Sequence, residues 1–153
     1  MDTIKGMNIT LEIRQTEQAR QAGLTLPTYS REGDAGIDLR SVETLVIRPK
    51  ARVTVGTGLH VAIPSGFMGL IRDRSGLASQ FGIHTLAGVV DSNYRGEVKV
   101  VLLNTGDEDY IVNVNDRIAQ LVILPVANAK IEQVESLSRT ERNEAGWGST
   151  GKR

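Results

Sequence analysis

Residues 88–104 read GVVDSNYRGEVKVVLLN. Two apolar arms rich in Val flank the polar run DSNYRG, and the second arm continues as GEVKVVLLN (96–104), dominated by residues that favour strands. The stretch predicts a β-hairpin. The same signature recurs outward in both directions, at ITLEIRQ (9–15), IDLRSV (37–42), TLVIRP (44–49), RVTVGTGLHVAI (52–63), FMGLIRD (67–73), DYIVNV (109–114), DRIAQLVILPV (116–126) and KIEQVESL (130–137). REGDAG, PKA, IPSG, NTGDED and VNDR supply the turns between them. Pro27, Pro49, Pro64 and Pro125 fall at strand ends or turns, where a residue without an N–H belongs. Only SGLASQFG (75–82) reads as a helix, with Ser75 as its cap and Gly82 as its end. Many short strands with one short helix predict an all-β, jelly-roll-like sandwich or barrel.

Composition narrows the partners. The 153 residues make one domain, and 18 basic residues balance 18 acidic ones, so net charge favours neither nucleic acid nor an anionic membrane. Cysteine is absent, which excludes a disulfide framework and suits a reducing location, cytoplasmic or nuclear. No apolar run approaches the roughly 20 residues that span a bilayer. With aromatics at 4%, the core must be Val, Ile and Leu, and so modest a core makes burial against copies of the chain an expectation. The periodic pattern covers residues 9–138. Residues 1–8 read as a flexible extension, and 139–153, polar and Gly-rich, as a flexible arm.

Five segments are too specific for plain turns. In DAGIDLR (34–40), Asp38 lies inside an apolar strand and needs a partner: solvent in an Asx turn, a magnesium-bound water, or a site Arg. In RSGLAS (74–79), Arg74 and Ser75 at a strand-to-helix junction make either an anion site or a helix cap. Asp91, after two valines, is either a turn acceptor or a base in a partly dry pocket, and Tyr94 beside it can pack under a sugar ring or across a hairpin. In NDRIAQLVI (115–123), strict alternation puts Arg117 and Gln120 on opposite faces, with Gln120 suited to a phosphate, a metal water or an interface. RNEAGWGSTG (142–151) combines a cation, Arg142, a stacking surface, Trp147, and the hydroxyls Ser149 and Thr150, so it reads as a lid over a nucleotide or as a loose tail. His60 and His84 are the only histidines, which removes a zinc site, and no GxxxxGK[ST] or GxGxxG occurs.

In this order and spacing, AGxDLR, RSGLA, GVVDxxYRG, DRIAQL and RxxxGWGSTG resemble the five motifs of the trimeric dUTPase family, over about Thr10 to Gly151. The resemblance implies a jelly-roll-like subunit in a threefold homotrimer, with each site shared between subunits and the C-terminal arm closing over a neighbour's site. It implies hydrolysis of dUTP to dUMP and pyrophosphate with Mg2+. Asp91 would deprotonate the water that attacks the α-phosphorus, and Tyr94 would exclude a 2′-hydroxyl. Backbone groups of Gly88, Val89 and Val90, with a contact at Lys99, would read the uracil. Arg74, Ser75, Gly76 and Gln120 would contact phosphates. Arg142 would act as an arginine finger, Trp147 would stack on the base, and Gly148, Ser149 and Thr150 belong to the same closing arm. Asp38 would hold the metal indirectly, through water.

Some positions depart from the family's commoner pattern. Asn115 stands where Gly is usual, Asp73 where Gly, Pro or His is commoner, and Thr85 where some relatives have Asn. Asn143 and Ala145 replace two glycines of the arm. Two other readings use the same scaffold. A dCTP deaminase would need a Glu in the strand after the hairpin, where VKVVLL has none; a non-catalytic nucleotide-binding protein would not need Asp91, Tyr94, Gln120 and Arg142 intact.

Overall fold

The computed structural model describes residues 8–140. Ten strands and two short helices follow in the order β1 (Glu12–Gln15), α1 (Glu17–Gln21), β2 (Gly36–Arg40), β3 (Leu45–Ile47), β4 (Arg52–Ala62), β5 (Phe67–Arg72), α2 (Ser75–Phe81), β6 (Ile83–Leu86), β7 (Val89–Val90), β8 (Glu97–Asn104), β9 (Tyr110–Val112) and β10 (Arg117–Pro125). They build two four-stranded sheets, β1-β4-β8-β6 and β2-β10-β5-β7, and a two-stranded one, β3-β9. Every strand pair is antiparallel.

Alternation explains the packing. In β8, Val98, Val100, Leu102 and Asn104 point inward and are buried, while Lys99 is exposed. The core joins Leu39 and Leu121 of one sheet to Val55, Val61 and Ile83 of the other. Asn104, fully buried, is satisfied by donating to the carbonyls of Ile47 (2.9 Å) and Glu108 (2.7 Å) and accepting from the Gly106 N–H (2.9 Å).

Away from the candidate site, the structure corrects the sequence reading at three places. Among the described residues there are two helices: Thr16 caps α1 by accepting from the Ala19 N–H at 3.2 Å, and only Ala19 of its five residues is buried, so no helical period was there to read. That helix packs on a bulge of β4, where a Cβ on Gly58 would stand 2.5 Å from the Ala19 Cβ. Residues 130–137 form no strand, and Ile131 and Leu137 are exposed. Residues 83–86 do form one, β6, which the reading left out. Asn115 takes φ 74°, the left-handed conformation that Asn tolerates where Gly is usual.

Candidate active site

The expected hairpin is not one. β6 pairs with β8 as far as Leu86 opposite Val101. Ala87 (φ 61°) and Gly88 (φ 121°) then turn the chain out of that sheet, because two left-handed residues in succession cannot continue a ladder. β7 joins the other sheet, with Val89 opposite Leu70 and Val90 opposite Gly69. A Cβ on Gly88 would lie 2.8 Å from the Ile71 carbonyl oxygen, so this crossing requires glycine. The turn after Val90 returns the chain to β8. The two arms therefore splay, and between them lies a cavity of about 260 Å³ lined by Gly88, Val89, Val90, Asp91, Tyr94 and Lys99.

The cavity has a backbone edge. Val98 turns its carbonyl toward β4, where it accepts the Thr57 hydroxyl at 2.5 Å. Alternation then aims the Lys99 N–H and C=O at the cleft, beyond the last β6 pairing. The turn itself is tightly tied. The Tyr94 N–H donates to the Asp91 carbonyl (3.1 Å), the Tyr94 hydroxyl donates to the Glu97 carbonyl (3.1 Å), and Arg95 donates to the carbonyls of Ser92 and Tyr94, both at 2.7 Å. His60 of β4 braces it with Nδ1 2.9 Å from the Arg95 carbonyl. Asp91 is exposed at the rim in the single chain rather than in a dry pocket; Val89 and Tyr94 are 63% and 45% exposed.

Gly96 lies under the Tyr94 ring: a Cβ there would meet Cζ at 2.5 Å. Gly96→Ala is therefore expected to push the phenol out of place and raise the KM for substrate about tenfold or more, since an ångström of misplacement carries penalties up to about 10²-fold. Steady-state kinetics on the folded variant check this.

A second cluster forms at the far end of the other sheet. Asp38, its side chain 13% exposed, accepts from Arg74 Nε through Oδ1 and from Arg117 through Oδ2, each at 3.2 Å. Of the partners open to Asp38, the structure supplies guanidinium. Arg117 comes within reach because β10 has a bulge between Arg117 and Ala119, so that Arg117 faces Arg40 while Gln120 faces Asp38. Arg40 and Asp38 share a face of β2, so Arg117 and Gln120 do too, and strict alternation fails there. Arg117 is the residue the sequence reading placed wrongly. Ser75 and Gly76 open α2, both exposed; Arg74 is the N-cap and no side chain caps the helix, so the cap expected from Ser75 is not made.

Asp73 departs from the family pattern without facing the Arg cluster. Its Oδ1 accepts from the Thr85 N–H (2.7 Å) and hydroxyl (2.5 Å), and Oδ2 meets His84 Nδ1. Burial alone would raise this carboxyl, but the hydrogen bonds from Thr85 and then His84 outweigh it and hold it below its ordinary value. A depressed carboxylate stabilises the fold at neutral pH, and that contribution is lost as the pH falls through the folded-state value. Thr85, 8% exposed, spends its hydroxyl on Asp73.

The two clusters are far apart in one chain. Val90 faces Gly69, which puts Asp91 level with Met68, whereas Gln120 faces Arg72. From Met68 to Arg74 is six residues, or about 20 Å along the strand direction at roughly 3.3 Å each. Arg142, Trp147, Gly148, Ser149 and Thr150 lie outside the described residues. Among the described residues, no group of three or more His, Asp or Glu side chains converges as a metal cage, and no helix is long and apolar enough to cross a membrane. Asp38 retains lone pairs beyond its two guanidinium contacts, which suits a water on a metal rather than the metal itself.

The all-β scaffold thus offers a carboxylate and a phenol at a backbone-edged cleft, and guanidiniums, a hydroxyl and an amide on a separate face, groups suited to a flat ring and to an anion. The chain belongs to the dUTPase family, whose sequence profile matches residues 22–151. It is 45% identical over 145 residues to the deoxyuridine 5'-triphosphate nucleotidohydrolase of Anaplasma marginale, covering 92% of this chain and 99% of the relative. It is 48% identical over 129 residues to that of Nautilia profundicola, covering 83% and 91%. Among solved structures, the dUTPase of Staphylococcus bacteriophage 80alpha with dUpNHpp superposes with a TM-score of 0.85 at 28% identity, covering 94% of this chain and 99% of that one. A variant dUTPase of phage phi11, described as coordinating a structural Mg(II) ion, gives 0.76 at 28% identity over 84% and 98%.

Proposed function

We propose that the chain hydrolyses dUTP to dUMP and pyrophosphate at a site completed by neighbouring copies in a homotrimer. The observation that carries this reading is the splayed cleft, in which Asp91 and Tyr94 stand at the rim of a cavity edged by backbone groups. Its 260 Å³ suits one ring and leaves the phosphates outside. Main-chain groups of Gly88, Val89, Val90 and Lys99 read the uracil edge; a mismatched base leaves them buried and unpaired. Tyr94 packs on the deoxyribose and denies space to a 2′-hydroxyl. Asp91 takes a proton from a water aligned with the α-phosphorus.

Phosphate contacts fall to Arg74, Ser75, Gly76 and Gln120. Along the strand direction Gln120 lies about 13 Å and Arg74 about 20 Å from Asp91 in the same chain, which supports their serving an adjacent copy's cleft. The exposure of Val89, and of Ile131 and Leu137 in a segment that forms no strand among the described residues, supports burial against other copies. Magnesium would ride on the substrate phosphates with Asp38 holding one of its waters, and when bound it neutralises charge on the phosphate oxygens. The arm of residues 139–153 closes over the site: Arg142 meets phosphate charge, Trp147 stacks on the base, and Gly148, Ser149 and Thr150 add polar contacts.

Pyrophosphate release compared across dUTP, UTP, dCTP and dTTP tests the reading. Turnover of dUTP at least 10²-fold above the others is expected, and equal turnover of all four would sink it. Truncation after Arg139 is expected to leave the β domain folded, with activity reduced at least about 10²-fold, because a transition-state guanidinium and the lid go together. A fully active truncate would remove the role given to the arm. Gel filtration with light scattering checks the trimer in both forms.

A further inference from the structure

A carboxylate one residue before a phosphate contact is electrostatically misplaced unless something turns it away. Asp73 is in that position, next to Arg74 and Ser75, and its side chain is 20% exposed. All three of its donors, the Thr85 N–H, the Thr85 hydroxyl and His84 Nδ1, come from β6. The carboxylate thus clasps the end of β5 to the strand beyond α2 and faces away from the Asp38–Arg74–Arg117 cluster. The helix between is held from Leu77 onward, by Leu77 against the core, by Phe81 against the Tyr110 ring and by the Gly82 carbonyl accepting from Thr105, whereas Ser75 and Gly76 at its start are exposed. It has seven residues, none of them buried, and no side-chain cap.

We infer that Asp73 is a positioning residue for phosphate binding, whose clasp on Thr85 and His84 fixes the β5–α2 junction so that Arg74, Ser75 and Gly76 meet the triphosphate. The inference rests on the functional reading above. The clasp does two things at once. It fixes the backbone just before Arg74, whose side chain is held by Asp38, and so sets the exposed Ser75 and Gly76 at the uncapped start of the helix; it also commits the Asp73 charge to donors of its own chain instead of to repulsion of the substrate. Asp73 touches no substrate; it acts through Arg74 and Ser75.

Kinetics of dUTP hydrolysis on the full-length chain decide it. Asp73→Ala is expected to raise KM about tenfold, the scale of one charge-assisted hydrogen-bonded contact, while kcat at saturation stays within about threefold. Asp73→Asn keeps an acceptor for the Thr85 N–H and is expected to return KM to within about threefold of wild type. A merely structural residue would lower the melting temperature and the active fraction, hence kcat, without moving KM or being rescued in KM by Asn. A folded Asp73→Ala protein with wild-type KM overturns the inference, as does an Asn variant no better than Ala. Should Asp73→Ala not fold, Thr85→Val removes one donor and keeps the backbone bond. A KM raised about threefold is then expected, and an unchanged one overturns the clasp. A wild-type chain inactive on dUTP overturns the functional reading and this inference together; an active wild type with an indifferent Asp73→Ala overturns this inference alone.

Discussion

Asp91→Asn is expected to bind nucleotide and to lose turnover by about 10²–10⁴-fold, the range that general-base catalysis supplies. The substitution is nearly isosteric, and the bond that shapes the turn uses the main-chain carbonyl of Asp91, which accepts the Tyr94 N–H and survives the change. The side chain is exposed in the single chain, so stability should move by no more than about 0.5 kcal/mol. Asn offers no lone pair basic enough to take a proton from water, while Tyr94 and the backbone edge of β8 remain in place. Binding is read from Trp147 fluorescence with a non-hydrolysable dUTP analogue and magnesium. A changed spectrum together with lost pyrophosphate release is the expected pair. Near-normal turnover would remove Asp91 from the chemistry.

The strands were legible because antiparallel sheets carry a core on one face and solvent on the other, so each strand prints its own alternation. β8 is the clearest case, with Val98, Val100 and Leu102 inward. Partner choice was not legible. GVV and GEVKV look like the arms of one hairpin, but whether they pair depends on the backbone at Ala87 and Gly88, and only Gly88 announces itself by residue type. The bulge at Arg117–Ala119 was hidden for a related reason: one extra residue in β10 leaves the apolar pattern intact while shifting which polar side chains share a face. α1 was invisible because one buried residue has no period. Residues 130–137 do carry a strand-like pattern, yet a strand needs a partner, and the described residues provide none. The candidate site residues were nominated by type and order, whereas the division of the described ones into two clusters belongs to the register.

That division makes the second large prediction. Asp91→Asn abolishes the base, and Arg74→Ala with Gln120→Ala removes two of the phosphate contacts, so each variant alone is expected to retain at most about 1% of wild-type turnover. If one chain supplied a whole site, mixing the two inactive proteins would change nothing. The register argues against that arrangement: Asp91 lies level with Met68, Gln120 lies four residues along, about 13 Å away, and Arg74 six, about 20 Å away. A site that takes its cleft from one copy and its phosphate contacts from the next is intact whenever the first copy is the Arg74/Gln120 variant and the second is the Asp91 variant. Unfolding the two proteins together at equal amounts and refolding them should scramble the copies, and about one quarter of the sites should then be wild type in both halves. Turnover near one quarter of the refolded wild type is the expected result. Refolding each variant separately and then mixing should give none, which separates exchange of copies from repair within one. No recovery in a mixture shown by mass spectrometry to contain mixed assemblies would mean that each chain builds its own site, and the shared-site geometry would have to be abandoned.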